Sequence, residues 1–132
     1  MTGAIPADVS EGIRRVIAAY THALDEGRAD DVVATFCPDG EVDIPGLGAH
    51  RGHDALRVAF AGWQPKRPTR HLVVNTLVLD WHQREATAVS DVVFILQGRD
   101  GWSIQAVGRY HDTLHHDGSG WRFHRRAAEF VP

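Results

Sequence analysis

The feature that most constrains this chain is a change of hydrophobic period near residue 70. Before it, apolar residues recur at helical spacing. After it they alternate at a period of two, in four segments spanning 70–79, 86–97, 102–114 and 120–130. The connectors "DWHQRE", "GRDG" and "HHDGSG" are short and polar or glycine-rich. Segments of that kind joined by such turns predict a meander of antiparallel strands. Helices first and a sheet second argue an α+β fold, with helices packed on one face of a curved sheet.

The helical part begins with a lead-in over residues 1–9. Ser10 is placed to cap the first helix with its hydroxyl. "EGIRRVIAAYTHALDEG" follows, with Ile13, Val16, Ile17, Tyr20 and Leu24 on one stripe and Gly27 as its stop. A short second helix is expected in "DDVVATFC", a turn at "PDG" and a short strand in "EVDIPG". "RGHDALRVAFAGW" predicts a third helix carrying Leu56, Phe60 and Trp63, and two prolines in "QPKRPT" end it. No internal repeat or domain boundary is visible, so residues 1–132 read as one domain.

Several function classes fall away on composition. A formal charge of −3 leaves no basic footprint for nucleic acid. No run of 18 apolar residues predicts a membrane-spanning helix. Residues 1–10 lack the basic and apolar regions of a signal peptide. One cysteine, Cys37, cannot build an intrachain disulfide framework, and a cytoplasmic protein is expected. The histidine pairs His50/His53 and His115/His116 lie in expected loops without a third or fourth ligand nearby, so no metal site is expected.

The candidate chemistry starts in "RHLVVNTLVLD", residues 70–80. Strict alternation puts His71 and Asn75 on one face of an otherwise apolar strand. A hairpin turning near residues 81–82 sets His71 opposite or beside Asp91, and opposed Cβ atoms lie about 5 Å apart. Asp91 opens the apolar run "DVVFILQ" and would share an inward face with Val93 and Ile95. A carboxylate there needs a partner. A histidine held by it keeps its second ring nitrogen free as acid or base. Asp91 can instead hold an arginine such as Arg109 or Arg125. By alternation one of Arg125 and Arg126 must point inward, where it can meet an acidic group.

Helix 1 adds two more groups. Tyr20 sits on the apolar stripe, as a core anchor or with its hydroxyl toward a ligand. Asp25 stands in the last turn, where a carboxylate meets the unfavourable end of the helix dipole. Five residues turn about 140° on a helix, so Tyr20 and Asp25 flank a ligand more easily than they overlay each other.

Together, "YTHALDEGRADDVVATFCPDGEV", "RGHDALRVAF", "RHLVVNT" and "GRYHDTL…GWRFHRR" resemble the SnoaL-like domain of the nuclear transport factor 2-like superfamily, over about residues 10–130. The resemblance implies a cone-shaped α+β barrel, a strongly curved antiparallel sheet wrapped on N-terminal helices around an apolar cavity. That fold is similar to scytalone dehydratase, bile-acid dehydratase, ketosteroid isomerase and polyketide cyclases. In the dehydratase branch a Tyr and an Asp five residues apart on helix 1, a strand His and an acid on the next strand form the site. Tyr20, Asp25, His71 and Asp91 match those positions. A second cavity histidine, as in scytalone dehydratase, would require His111 to point inward.

The resemblance implies chemistry with no metal and no organic cofactor: a lyase or isomerase that eliminates water, shifts a double bond or closes a ring beside a carbonyl. His71 is the expected acid/base, Asp25 its partner or a second base, Tyr20 the oxygen-polarising donor and Asp91 the group that orients His71. Asn75, Phe60, Trp63 and Val93 are the expected substrate-binding residues. The expected substrate is an apolar, cyclic hydroxy-ketone or polyketide-like molecule. The alternative is a non-catalytic module of the same fold that binds a small apolar ligand or serves as an accessory. Apolar residues on the second face of the strands also predict a homodimer or homotrimer.

Overall fold

The structure, a computed structural model, describes residues 4–132. Helix α1 (Ala7–Asp25) buries Val9, Ile13, Val16, Ile17 and Tyr20 along one stripe. It begins three residues earlier than Ser10, inside the expected lead-in. Pro6 precedes its first turn, and the Ser10 amide donates to the Pro6 carbonyl at 3.1 Å. Burial of Val9 therefore outweighs the better capping residue. The helix ends in a Schellman motif: Arg28 N–H bonds Ala23 O at 2.9 Å and Gly27 N–H bonds Leu24 O at 3.2 Å. Gly27 adopts φ +71°, which favours glycine.

Helix α2 (Ala29–Ala34) is followed by strand β1 (Phe36–Ile44), β2 (Gly48–Arg51) and helix α3 (His53–Gly62). "PDG" is no turn here; it lies inside β1. Gly40 allows it, because a Cβ there would come within 2.8 Å of the Phe123 carbonyl on a neighbouring strand. The long strands follow as β3 (Thr69–His82), β4 (Glu85–Gly98), β5 (Gly101–His116) and β6 (Trp121–Phe130). The sheet runs β2-β1-β6-β5-β4-β3. All its neighbours are antiparallel except β1 and β6, which pair in parallel. This mixed pair joins the early strands to the meander, a link no local pattern reveals.

The helices cover one face of the sheet. Residues buried between them form the core, among them Ile13, Phe36, Leu56, Phe60, Leu114 and Phe123. The other face is apolar and open. Leu72, Val74, Leu77 and Leu79 of β3 and Ile104 and Val107 of β5 are exposed.

The hairpin β3–β4 turns at residues 83–84, with His82 opposite Glu85. Its register also shifts between Val74 and Leu77 and between Val78 and Asp80. His71 therefore faces Phe94, and Asp91 faces Val74. At the first shift Asn75 adopts φ +56°, a left-handed conformation that asparagine tolerates better than most residues. The bulge swaps the two alternating sets of β3 midway. Before it His71 and Val73 point to the helices; after it Thr76 and Val78 do.

Candidate active site

A cavity of about 240 Å³ opens between α1, α3 and the concave face of the sheet. Its walls include Tyr20, Phe60, Trp63, His71, Phe94 and Tyr110. They are overwhelmingly apolar, with polar groups confined to a few side chains, which suits a small ligand site.

Asp25 and His71 meet at its edge. The Asp25 carboxylate lies 2.6 Å from His71 Nδ1 and accepts the His71 backbone N–H at 2.9 Å. The Thr69 hydroxyl donates to it as well, at 3.2 Å. Alternation along β3 brings Thr69 and His71 to the same face, and the Schellman stop after Asp25 delivers its carboxylate to them. Burial alone would push the Asp25 carboxyl up. The His71 ring, the His71 amide and the Thr69 hydroxyl outweigh burial and hold it below its ordinary range. Its side chain is only 5 % exposed against 18 % for His71. Asp25 does not line the cavity, whereas His71 does. Asp25 is thus placed to orient the ring rather than to meet a ligand itself. The ring stacks on Phe94, centroids 4.6 Å apart, which fixes its plane.

Tyr20 comes from the middle of α1 and packs edge-on against Phe60 and Phe123 at 5.9 and 5.6 Å. Burial is the main reason its hydroxyl is held protonated well above the usual tyrosine range. Tyr110 is raised for the same reason. Behind both rings lies Arg126, fully buried, its guanidinium carbon 4.4 Å from the Tyr20 centroid and 3.6 Å from that of Tyr110. Asp112 neutralises it through contacts of 2.9 and 3.3 Å. Arg126 is the inward arginine that alternation requires, and Asp112 is its acid.

Three expected site residues lie elsewhere. Asp91 is on the outer face, where it accepts from Arg109 Nε at 2.9 Å and from Asn75 Nδ2 at 3.0 Å. Those two bonds lower its carboxyl below the ordinary range. Asp91 does not orient His71; Asp25 does. Asn75 is turned outward by its own bulge, so strict alternation from His71 fails there. Val93 faces the same way as Asp91, and its neighbours Val92 and Phe94 reach the cavity instead. His111 is exposed and lies 2.8 Å from Glu129. Among the described residues, His71 is therefore the only histidine in the cavity wall. Thr69, Phe94 and Tyr110 are site residues that sequence reasoning missed. The alternation of Tyr110 and Asp112 opposite Arg126 held a usable signal for one of them.

A model of the SnoaL-like domain matches residues 7–127. The chain belongs to the SnoaL-like family. No curated protein matches it. Its fold is that of nuclear transport factor 2-like proteins, as solved structures show. A protein of unknown function from Mycobacterium tuberculosis is 24% identical, with a TM-score of 0.86, covering 92% of this chain and 76% of that one. A provisionally assigned aromatic ring hydroxylase from Novosphingobium aromaticivorans is 25% identical, with a TM-score of 0.87 and coverage of 98% and 93%. A provisionally assigned scytalone dehydratase from the same organism is 25% identical, with a TM-score of 0.82 and coverage of 93% and 84%. The SnoaL-like domain is thus a fold that carries differently named activities, and function has to be argued from the site. No helix among the described residues is long and apolar enough to cross a membrane.

Proposed function

We propose that this SnoaL-like protein is a cofactor-independent acid/base enzyme, a dehydratase, isomerase or cyclase, acting on an apolar cyclic hydroxy-ketone or polyketide-like molecule. The observation that carries the reading is the Asp25–His71 pair at the wall of an apolar cavity. With Nδ1–H donated to Asp25, the lone pair of His71 sits on Nε2. That nitrogen removes the proton α to the substrate carbonyl, and the ionised Asp25 stabilises the imidazolium that forms. Electron density moves to the carbonyl oxygen, where a protonated Tyr20 hydroxyl donates a hydrogen bond. For dehydration, the imidazolium returns its proton to the β-hydroxyl as the C–O bond breaks and water leaves. For isomerisation, it returns the proton to another carbon. Phe60 and Trp63 supply apolar walls. The proposed setting is the cytoplasm, where Cys37 stays reduced.

The test is exchange of the α-protons of 2-tetralone in deuterated water, followed by proton NMR. Wild-type protein accelerates exchange and His71→Ala does not. Unchanged exchange with His71→Ala sinks the assignment. Ligands that bind in the cavity but are never converted favour the non-catalytic binding module instead.

We also infer that a second copy of the chain covers the outer sheet face. The exposed leucines and valines of β3 form an apolar strip wider than isolated surface residues explain. The charged groups within it, Asp91 and Arg109, neutralise each other, so an identical face meets no net repulsion. Leu77→Glu should convert a dimer to monomers in light scattering; a wild-type monomer at micromolar concentration overturns the inference.

A further inference from the structure

Cys37 of β1, His115 of β5 and His124 of β6 bring one ligand-capable atom each within 4.8 Å of one another. They come from three adjacent strands. Two irregularities assemble them. The register of β1 against β6 shifts between Phe36 and Glu41, around Cys37. That of β5 against β6 shifts between Thr113 and Leu114, leaving His124 as the extra residue between Phe123 and Arg125. Bulges of this kind re-aim side chains, and they concentrate beside functional sites. The cluster is separate from the acid/base pair. Leu114 points into the core, so His115 points to the opposite face.

The ring nitrogens are placed to meet a metal ion. His115 Nε2 lies 3.1 Å from Glu85 Oε1, which leaves Nδ1 for another partner. A carboxylate on the far nitrogen is the usual second support of a metal-bound histidine. His124 Nδ1 is buried and takes no hydrogen bond among the described residues. Asp39 Oδ1 stands 3.8 Å from it. The two imidazoles stack, centroids 4.2 Å apart and planes 12° from parallel. Cys37 makes only a long contact, 3.8 Å, to the Arg122 carbonyl. Both histidines are partly exposed, so an ion can enter from solvent.

We propose that Cys37, His115 and His124 bind a zinc ion, with the exposed carboxylate of Asp39 completing the tetrahedron. One thiolate and two imidazoles suit a borderline-soft ion, whereas magnesium and calcium require oxygen ligands. Binding turns the stacked rings apart to aim both lone pairs at one point, and the Cys37 thiol proton leaves to solvent. The ion would tie β1, β6 and β5 together. The acid/base chemistry proposed for His71 does not depend on it.

The test is a cobalt(II) titration of the metal-free, reduced full-length chain, read by absorbance. The expected result is saturation at one equivalent. It brings a near-ultraviolet thiolate-to-cobalt charge-transfer band and the intense visible bands of a tetrahedral ion, and zinc abolishes both. Cys37→Ser should remove the charge-transfer band, and His124→Ala should weaken cobalt affinity at least tenfold. His50→Ala, outside the cluster, should leave both unchanged. Absence of the band in the wild-type chain overturns the proposal, whether or not any variant folds. A band that persists unchanged in both His115→Ala and His124→Ala also overturns it, because the thiolate would then bind without the cluster.

Discussion

His71 and Asn75 stand four residues apart on one strand and end on opposite sides of the sheet. His71 faces an apolar cavity, joined to a buried carboxylate. Asn75 faces outward and bonds Asp91, an exposed carboxylate paired with Arg109. Both clusters combine an aspartate with polar partners, and both lower its pKa. They differ in their solvent. At Asp25 water is largely excluded, so each hydrogen bond is strong and its geometry is held. At Asp91 water and salt compete, and the same contacts yield little. A carboxylate beside an apolar run is therefore no guide to function until its face is known.

Paired substitutions separate the two clusters most directly. His71→Ala should lower turnover by about 10²–10⁴-fold, the usual contribution of a positioned acid/base. Asp91→Ala should leave turnover within about twofold of wild type on the same reasoning. Steady-state kinetics on one converted ketone, with circular dichroism to check folding, separates them. Equal losses would mean that the outer cluster matters to the site after all.

The next effect lies behind the cavity wall. Asp112→Ala leaves Arg126 charged and unpaired among aromatic rings, and should cost about 3–5 kcal/mol in urea unfolding. A loss under about 1 kcal/mol would mean that water or a rearranged side chain takes over.

The bulge itself can be tested. Asn75→Val forces a β-branched residue into a left-handed conformation and should cost about 1–2 kcal/mol. Asn75→Gly should be close to neutral. Equal stabilities by chemical denaturation would show that the bulge does not depend on this residue's conformational tolerance.

The smallest expected effect is in the acid limb of stability. Asp25 has a depressed folded pKa, so its contribution is fully present above its unfolded value of about 3.9. It is lost as pH falls through the lower folded value. Asp25→Asn should flatten that part of the pH–stability curve. Raising salt should erase the share due to Asp91 and leave the share due to Asp25. If salt erases both, Asp25 is more hydrated than its burial implies.

Much of this was legible without coordinates. The stripe through Ile13, Ile17, Tyr20 and Leu24, the four long strands and the helix-first order follow from local periodicity. So does the inward placement of one of two adjacent arginines. Asp25 stood out because a carboxylate in a last helical turn is electrostatically unfavourable. Its partner His71 was also visible, and the family resemblance joins the two, whereas hairpin register alone sets His71 beside Asp91. A turn displaced by two residues, offset only in part by the two register shifts within β3, moved Asp91 away and put Phe94 there. Period-two patterns carry no absolute phase, and one extra residue inverts every face beyond it. Here the outer face of β3 is itself apolar, so hydrophobicity could not signal the inversion.

The sequence by itself determined the α+β class, the order of elements, and three polar groups, Tyr20, Asp25 and His71, suited to one site. Local spacing is enough for that, because helix and strand periods are properties of the chain alone. Only the tertiary structure decided which aspartate meets His71, which face Asn75 and Val93 occupy, and that β1 runs parallel to β6. It also decided that Cys37, His115 and His124 converge. Those outcomes depend on pairing between segments far apart in sequence, where a bulge or a glycine shifts the register without leaving a mark in the local hydrophobic pattern.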